Sequence, residues 1–401
     1  MATANPIPDT SSAPARPVAN LLVLAAAMPP EQMEILLANL AEAFPVEELV
    51  VATQGEATSR LFPADRMIAA PPTNAAWTST AADFQNAFQL ARETEARAVL
   101  MLGPGAGSLS TAALRSLAQA VAATQVDLAM PCYTLPAHAG LINSAILYPL
   151  TRALFASPVR FPQAIDTGLS LRMAERLAMA AQRFTNSNQA DALIWPVNEA
   201  VAAGFATDEF EVGLRPLPQP AGTDINAILS LVTGSLFADI EAKAAIWQRP
   251  RRMPALRRPN LDAPTSDASI SDKAGEVQRL VESFRFAYTN LQEIWSLVLP
   301  PNSLLGLKRL SVTDAPEFRM PEALWARIVF DFLIAYRLRT INRGHLLGAL
   351  IPLYLAWVAG HINITAAGTG SERHIEAVAA AYDADKPYLV SRWRWPDRFN
   401  S

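Results

Sequence analysis

Residues 20–53 read NLLVLAAAMPPEQMEILLANLAEAFPVEELVVAT, and this stretch decides the fold class. Leu21–Ala27 is an apolar run of strand length, Pro30–Ala43 places apolar residues at helical steps, and Leu49–Thr53 is a second short apolar run. The same alternation continues with a helical Ala81–Glu95, a strand Ala98–Leu102, a helical Ser110–Ala123 and a strand Asp127–Pro131. Strand and helix in turn predict an α/β fold, a mostly parallel sheet with helices on both faces. Ligands of such sheets sit beyond the carboxyl ends of the strands.

Composition narrows the function classes. The 401 residues are 51% hydrophobic and 17% charged, enough apolar material for a sizeable core, and the length suggests two or three domains. A net charge of −4 provides no basic field for nucleic acid, which is therefore not an expected partner. The single cysteine, Cys132, excludes an internal disulfide framework and a multi-cysteine zinc site. Without a charged neighbour to activate it, Cys132 reads as a structural thiol, and a reducing, cytoplasmic setting is expected. No segment reaches the ~18 uninterrupted apolar residues of a membrane span. Leu21–Met28 is short, lacks a preceding positive cluster and ends at Pro29-Pro30, so it reads as a buried strand and not a signal peptide. The apolar run Leu346–Gly360 is interrupted by Pro352 and interleaved with Tyr354 and Trp357, which suits a buried helix or an oligomer face.

Four regions are expected along the chain. Residues 1–18, rich in Pro, Ala, Ser and Thr, read as a disordered tail, and residues 19–240 as the sheet domain. Residues 241–273, with Pro250, Pro254, Pro259 and Pro264 among arginines, read as a linker or surface excursion. Residues 274–401 read as a helical C-terminal domain, with helices over Ala274–Leu299, Met320–Thr340 and His345–Ile364 and a shorter last one over Arg373–Tyr382.

One glycine-rich segment is placed for chemistry. Leu102-Gly103-Pro104-Gly105-Ala106-Gly107-Ser108 follows a strand and precedes a helix, where backbone amides could hold a phosphate. It matches neither a dinucleotide fingerprint nor a P-loop, and a plain strand-to-helix turn is the alternative. The histidines His138, His345, His361 and His374 show no metal-ligand spacing, and His345 reads as a residue of a helix start. Asp208 with Glu211, and Asp383 with Asp385, read as solvated loop charge. Trp325, Phe330, Phe332, Tyr336, Tyr354 and Trp357 recur at helical spacing and read as core or subunit interface.

The richest run is Gly140-Leu141-Ile142-Asn143-Ser144-Ala145-Ile146-Leu147-Tyr148-Pro149-Leu150-Thr151-Arg152, followed by Val159-Arg160-Phe161-Pro162 and Ile165-Asp166-Thr167-Gly168-Leu169-Ser170. These segments resemble the bacterial glycosyltransferases of the mannosylglycerate synthase and glucosylglycerate synthase kind. Trp195–Ala200, Leu324–Phe332 and Lys386–Leu389 extend the likeness from about Ala19 to Trp395. The resemblance implies a GT-A-like (Rossmann-like) sheet that binds a nucleotide sugar, a helical extension, and transfer of a hexose to a small hydroxy-acid-like acceptor. It also implies Mg or Mn held by an Asp-x-Asp and a later histidine. This chain departs from that set: Gly103 and Gly105 fall where the two aspartates would stand, and Leu217 where the histidine would, so no metal ligand and no cofactor is expected.

On the same resemblance Asp166 is the surviving carboxylate, beside sugar and acceptor, where it could orient or deprotonate a hydroxyl. The other reading of Asp166 is a cap on a helix beginning near Gly168. Tyr133 and Asn143 are candidates for acceptor binding, or satisfy neighbouring backbone. Arg160, Arg215 and the amides of Gly103–Gly107 are what the chain offers to a diphosphate, and Arg160 and Arg152 otherwise pair with acidic residues of the fold. Two functions follow: a transferase that is metal-independent or impaired, or an inactive relative serving as a binding or regulatory partner. Self-association into a homodimer is expected from the aromatic C-terminal helices.

Overall fold

The computed structural model describes residues 19–54, 61–72, 77–215, 217, 224–252, 254 and 273–395. The expected tail and most of the Pro/Arg-rich excursion lie outside them. Seven strands form one sheet in the order β3-β2-β1-β4-β6-β5-β7. They are β1 Leu21–Ala25, β2 Leu49–Thr53, β3 Met67–Ala69, β4 Ala98–Leu102, β5 Leu128–Thr134, β6 Thr167–Ser170 and β7 Thr207–Leu214. Every residue of β1, β2 and β4 is buried, as expected of central strands covered on both faces. The connecting helices are α1 Pro30–Ala43, α2 Ala81–Glu93, α3 Thr111–Ala122, α4 Tyr148–Phe155, α5 Leu171–Thr185 and α6 Pro196–Ala203.

The sheet is mixed. β1, β2, β3 and β4 pair in parallel, and so do β5 and β7, but β6 runs antiparallel between β4 and β5. This reversal positions the candidate site. An antiparallel strand begins where its neighbours end, so Asp166, just before β6, lies at the carboxyl edge beside Gly103, just after β4. The register Met101↔Thr167 sets the two level. Tyr133 and Thr134 close β5 opposite Gly213 and Leu214 of β7, which brings Arg215 to the same edge. Gly168 is required within β6, because a Cβ there would stand 2.4 Å from the Leu117 carbonyl of α3. The expected helix near Gly168 is therefore a strand, and helix α5 starts three residues later with Ser170 accepting from the Met173 amide. Asp166 caps nothing.

The helical part comprises α7 Ile225–Ala242, a short α8 Ala244–Trp247, α9 Lys273–Val298, α10 Pro301–Ser311, α11 Glu322–Leu338, α12 Arg343–Ala366 and α13 Ser371–Arg394. Its core joins Phe237, Phe284, Trp295, Trp325, Phe330 and Trp357 and reaches α4, apart from the core around the sheet. The last helix continues past Tyr382 through Pro387 to Arg394. A proline there removes one helical hydrogen bond, and packing of Leu389 and Trp393 carries the helix past it. Asp383 and Asp385 sit on this helix and pair with Arg152 and Arg327, instead of being solvated loop charge. The six C-terminal aromatics named above are all buried within the chain and belong to its core. α7 and α12 are long and apolar enough to cross a membrane by length and composition, with 44% and 56% of those windows buried inside the fold.

Candidate functional site

Gly103, Tyr133, Asp166 and Arg215, expected separately, meet at the carboxyl edge. Asp166 Oδ1 accepts from the Gly103 amide at 2.9 Å and from Arg215 Nη2 at 3.0 Å. Its Oδ2 accepts from the Tyr133 hydroxyl at 3.0 Å and from Arg215 Nε at 2.9 Å. The guanidinium thus meets the carboxylate with two parallel bonds. Asp166 is 0% and Arg215 1% exposed. Burial opposes the Arg215 charge, and the Asp166 carboxylate more than offsets it, raising its pKa. Burial, reinforced by the same carboxylate, pushes the Tyr133 hydroxyl well above its ordinary value.

Ile165 and Arg215 crowd the glycines of this edge. A Cβ on Gly103 would lie 2.6 Å from Ile165 Cδ1, and one on Gly105 3.0 Å from Arg215 Nη1. The glycine segment itself is a tight turn. Gly105 has φ +76°, and the amides of Ala106 and Ser108 donate to the carbonyls of Gly103 and Gly105. The Ser110 side chain then caps α3. Those amides close the turn and are not directed outward. The donor set does not fit a divalent cation: two glycines, an isoleucine and a guanidinium offer no side-chain oxygen or imidazole, the Asp166 carboxylate beside them is already engaged by Arg215, Tyr133 and the Gly103 amide, and the guanidinium places a positive charge there. Among the described residues, no group of three or more His, Cys, Asp or Glu side chains is arranged to hold a metal ion.

Asn143 and Arg160 form a second cluster, removed from Asp166's hydrogen bonds. Asn143 Nδ2 donates to the Arg160 carbonyl at 3.0 Å, satisfying backbone. Arg160 donates through Nε and Nη2 to Glu372 of α13 and through Nη2 to the Ser144 hydroxyl. Its guanidinium lies 4.8 Å from the Phe161 ring centre. Arg152 likewise bonds Glu376, Asp383 and the Tyr148 hydroxyl. Both arginines pair with acidic residues of the fold and fasten α4 and the segment before β6 to α13.

Between the sheet edge and α7, α9 and α12 lies a cavity of ≈ 440 Å³. Its walls are mainly apolar, with Trp77, Phe161, Ile228, Val232, Leu280 and Val358 among them. Tyr354, expected as core or interface, also faces it. Asn143 and Leu147 reach it from a π-helical turn over Asn143–Leu147 that runs into α4, an insertion common at functional sites. Trp325 and Tyr382 donate to the Ala145 carbonyl and hold that turn in place.

A histidine chain beside the cavity was invisible in the sequence. His361 Nδ1 and His374 Nδ1 are 2.7 Å apart, and His361 Nε2 lies 3.2 Å from the Ala137 carbonyl. That carbonyl also accepts from the Ser371 hydroxyl, which itself lies 3.3 Å from His361 Nε2. Burial, then the neighbouring His374, pushes His361 down to about 3. His138, on the cavity wall, packs edge-on against His361. His345 lies in the first turn of α12, where its amide donates to the Asn342 side chain. The histidines belong to a loop and to two helices 13 residues apart at the contact, and no local spacing signals such a meeting.

No protein-family model matches the chain, and no curated protein matches it. Among solved structures, a mycobacterial protein is 11% identical with a TM-score of 0.35, covering 61% of this chain and 80% of its own. Glucosyl-3-phosphoglycerate synthase from Mycobacterium tuberculosis, in complex with phosphoglyceric acid, is 12% identical with a TM-score of 0.34, covering 55% of this chain and 80% of its own.

Proposed function

We propose that this chain is a catalytically inactive relative of glycosyltransferases that serves as a binding or regulatory partner, in a cytoplasmic setting. One observation carries the reading: Asp166 is fully buried and both its oxygens are already engaged, by the Arg215 guanidinium, the Tyr133 hydroxyl and the Gly103 amide. A general base must come within hydrogen-bonding reach of the hydroxyl it deprotonates. Reaching one here would mean breaking a buried ion pair. Arg215 is committed to Asp166 in the same way, so the cation that a metal-free transferase would direct at a leaving diphosphate is neutralised in place. The places that the resemblance gives to the Asp-x-Asp are Gly103 and Gly105, against Ile165 and Arg215.

The test is calorimetry with UDP- and GDP-hexoses, with and without Mn²⁺, together with an assay for nucleotide release in the presence of a small hydroxy acid. The expected result is no turnover and no binding tighter than millimolar. Micromolar, metal-enhanced binding overturns the reading. So does turnover that survives a chelator and vanishes in Asp166→Asn, which would establish a metal-independent hexosyltransferase.

A further inference from the structure

A surface of the helical part carries an inference that does not depend on how the Asp166 centre is read. Val312 is 79% and Phe286 74% exposed, more than any other large apolar side chain among the described residues. They stand at one place. Arg285, next to Phe286 on α9, donates through Nε to the Ser311 carbonyl and through Nη2 to the Thr313 carbonyl, on either side of Val312. Exposed apolar side chains scattered singly call for no explanation, but the two most exposed meeting at one end of the α9–α10 hairpin do.

α10 supplies charge beside them. Leu305, Lys308, Arg309 and Val312 follow at three- and four-residue steps, so they share one face, and all four are exposed. α10 itself contains these two cations and no acidic residue. On α9 the exposed neighbours of Phe286, Thr289 and Asn290, are uncharged. The acids nearest along the chain are Glu282, which accepts from Gln278 Nε2, Glu293, and Asp314 just past Val312.

Charge and shape select the occupant. A second copy docked here about a two-fold axis would set Lys308 and Arg309 against their own counterparts, a like-charge contact. A protein partner would need a buried centre within about 800 Å² of complementary surface, whereas the apolar groups here are knobs among exposed polar side chains. A fluid interface needs no shaped counterpart: apolar side chains enter the acyl boundary and cations meet lipid phosphates. We infer that the α9–α10 hairpin is a docking surface for an anionic lipid bilayer, with Phe286 and Val312 inserted and Lys308 and Arg309 on the headgroups.

Co-sedimentation of the full chain with vesicles tests this. Phosphatidylcholine vesicles containing about one third phosphatidylglycerol should retain the chain, and phosphatidylcholine alone should retain it roughly tenfold more weakly. Phe286→Ser with Val312→Ser, and separately Lys308→Glu with Arg309→Glu, should each weaken binding to the mixed vesicles roughly tenfold. All four positions are exposed, so both variants should keep the circular dichroism of the native chain. Val312→Ser alone, expected to weaken binding roughly threefold, replaces the first pair should that pair unfold. No retention by the mixed vesicles overturns the proposal. So does equal retention by phosphatidylcholine alone, or native affinity in either double variant. A dimer of the native chain that Phe286→Ser with Val312→Ser dissociates would also overturn it, by placing a second copy on this face. Nucleotide-sugar turnover would refute the reading of the Asp166 centre without bearing on any of these results.

Discussion

The Asp166 centre and the cavity share Tyr133 and Ile165 as a wall, and they differ in how much polar chemistry they carry. At the centre the Asp166 oxygens, the Arg215 guanidinium, the Tyr133 hydroxyl and the Gly103 amide are directed at one another. The cavity wall is mainly apolar. A cluster of functional residue types is thus not the same as a functional site. At the centre the polar groups are spent on each other instead of on space a ligand could enter.

The largest expected effect breaks the closed side of that comparison. Arg215→Ala leaves a buried carboxylate unpaired and should cost about 3–5 kcal/mol in urea unfolding, whereas Asp166→Leu combined with Arg215→Met should recover most of it. If the single variant loses less than 1 kcal/mol, the pair is not the closure described above.

Acid should act on the cavity side. His361 titrates near 3 in the folded chain against an ordinary 6.5, so between those values the unfolded chain binds more protons. Stability is then full above about pH 6.5 and is lost as pH falls toward 3, by at most about 1.4 kcal/mol per pH unit for this group. His361→Phe keeps the stack on Trp357 and leaves Ser371 to satisfy the Ala137 carbonyl, so its stability profile should be flatter in that window. An unchanged slope would remove His361 from the account.

Smaller effects probe the fit at the centre. Gly103→Ala drives a Cβ into Ile165 and should cost about 1–3 kcal/mol, with Ile165→Ala in the same chain relieving part of it. A double-mutant cycle without coupling would show that Ile165 does not press on the turn. Tyr133→Phe removes one of Asp166's donors and should cost about 1 kcal/mol, since Arg215 and the Gly103 amide remain. Denaturant midpoints at constant m-value measure both.

The sheet's first half is legible because continuous apolar runs bounded by turns have one reading: β2 and β4 start and stop where Leu49–Thr53 and Ala98–Leu102 predict. β6 is not legible, since Thr167-Gly168-Leu169-Ser170 is short and contains a glycine, and only contact with Leu117 and Ala129 explains it. β7 alternates charged and apolar residues at the sheet edge and has no continuous apolar run to announce it as a strand. The end of α13 is not legible, because Pro387 lies among polar residues while the anchoring contacts of this stretch come from α4 and α11. Asp166 and Arg215 were each recognisable, but their pairing spans 49 residues and depends on the reversal of β6. The cavity is assembled from segments between Trp77 and Val358, and no local pattern could announce it.

The most direct test is to titrate the native chain with a UDP-hexose, with and without Mn²⁺. No detectable heat in either titration is the predicted result, because the Asp166 oxygens and Arg215 are already committed to each other. Micromolar, Mn²⁺-enhanced binding would contradict the account.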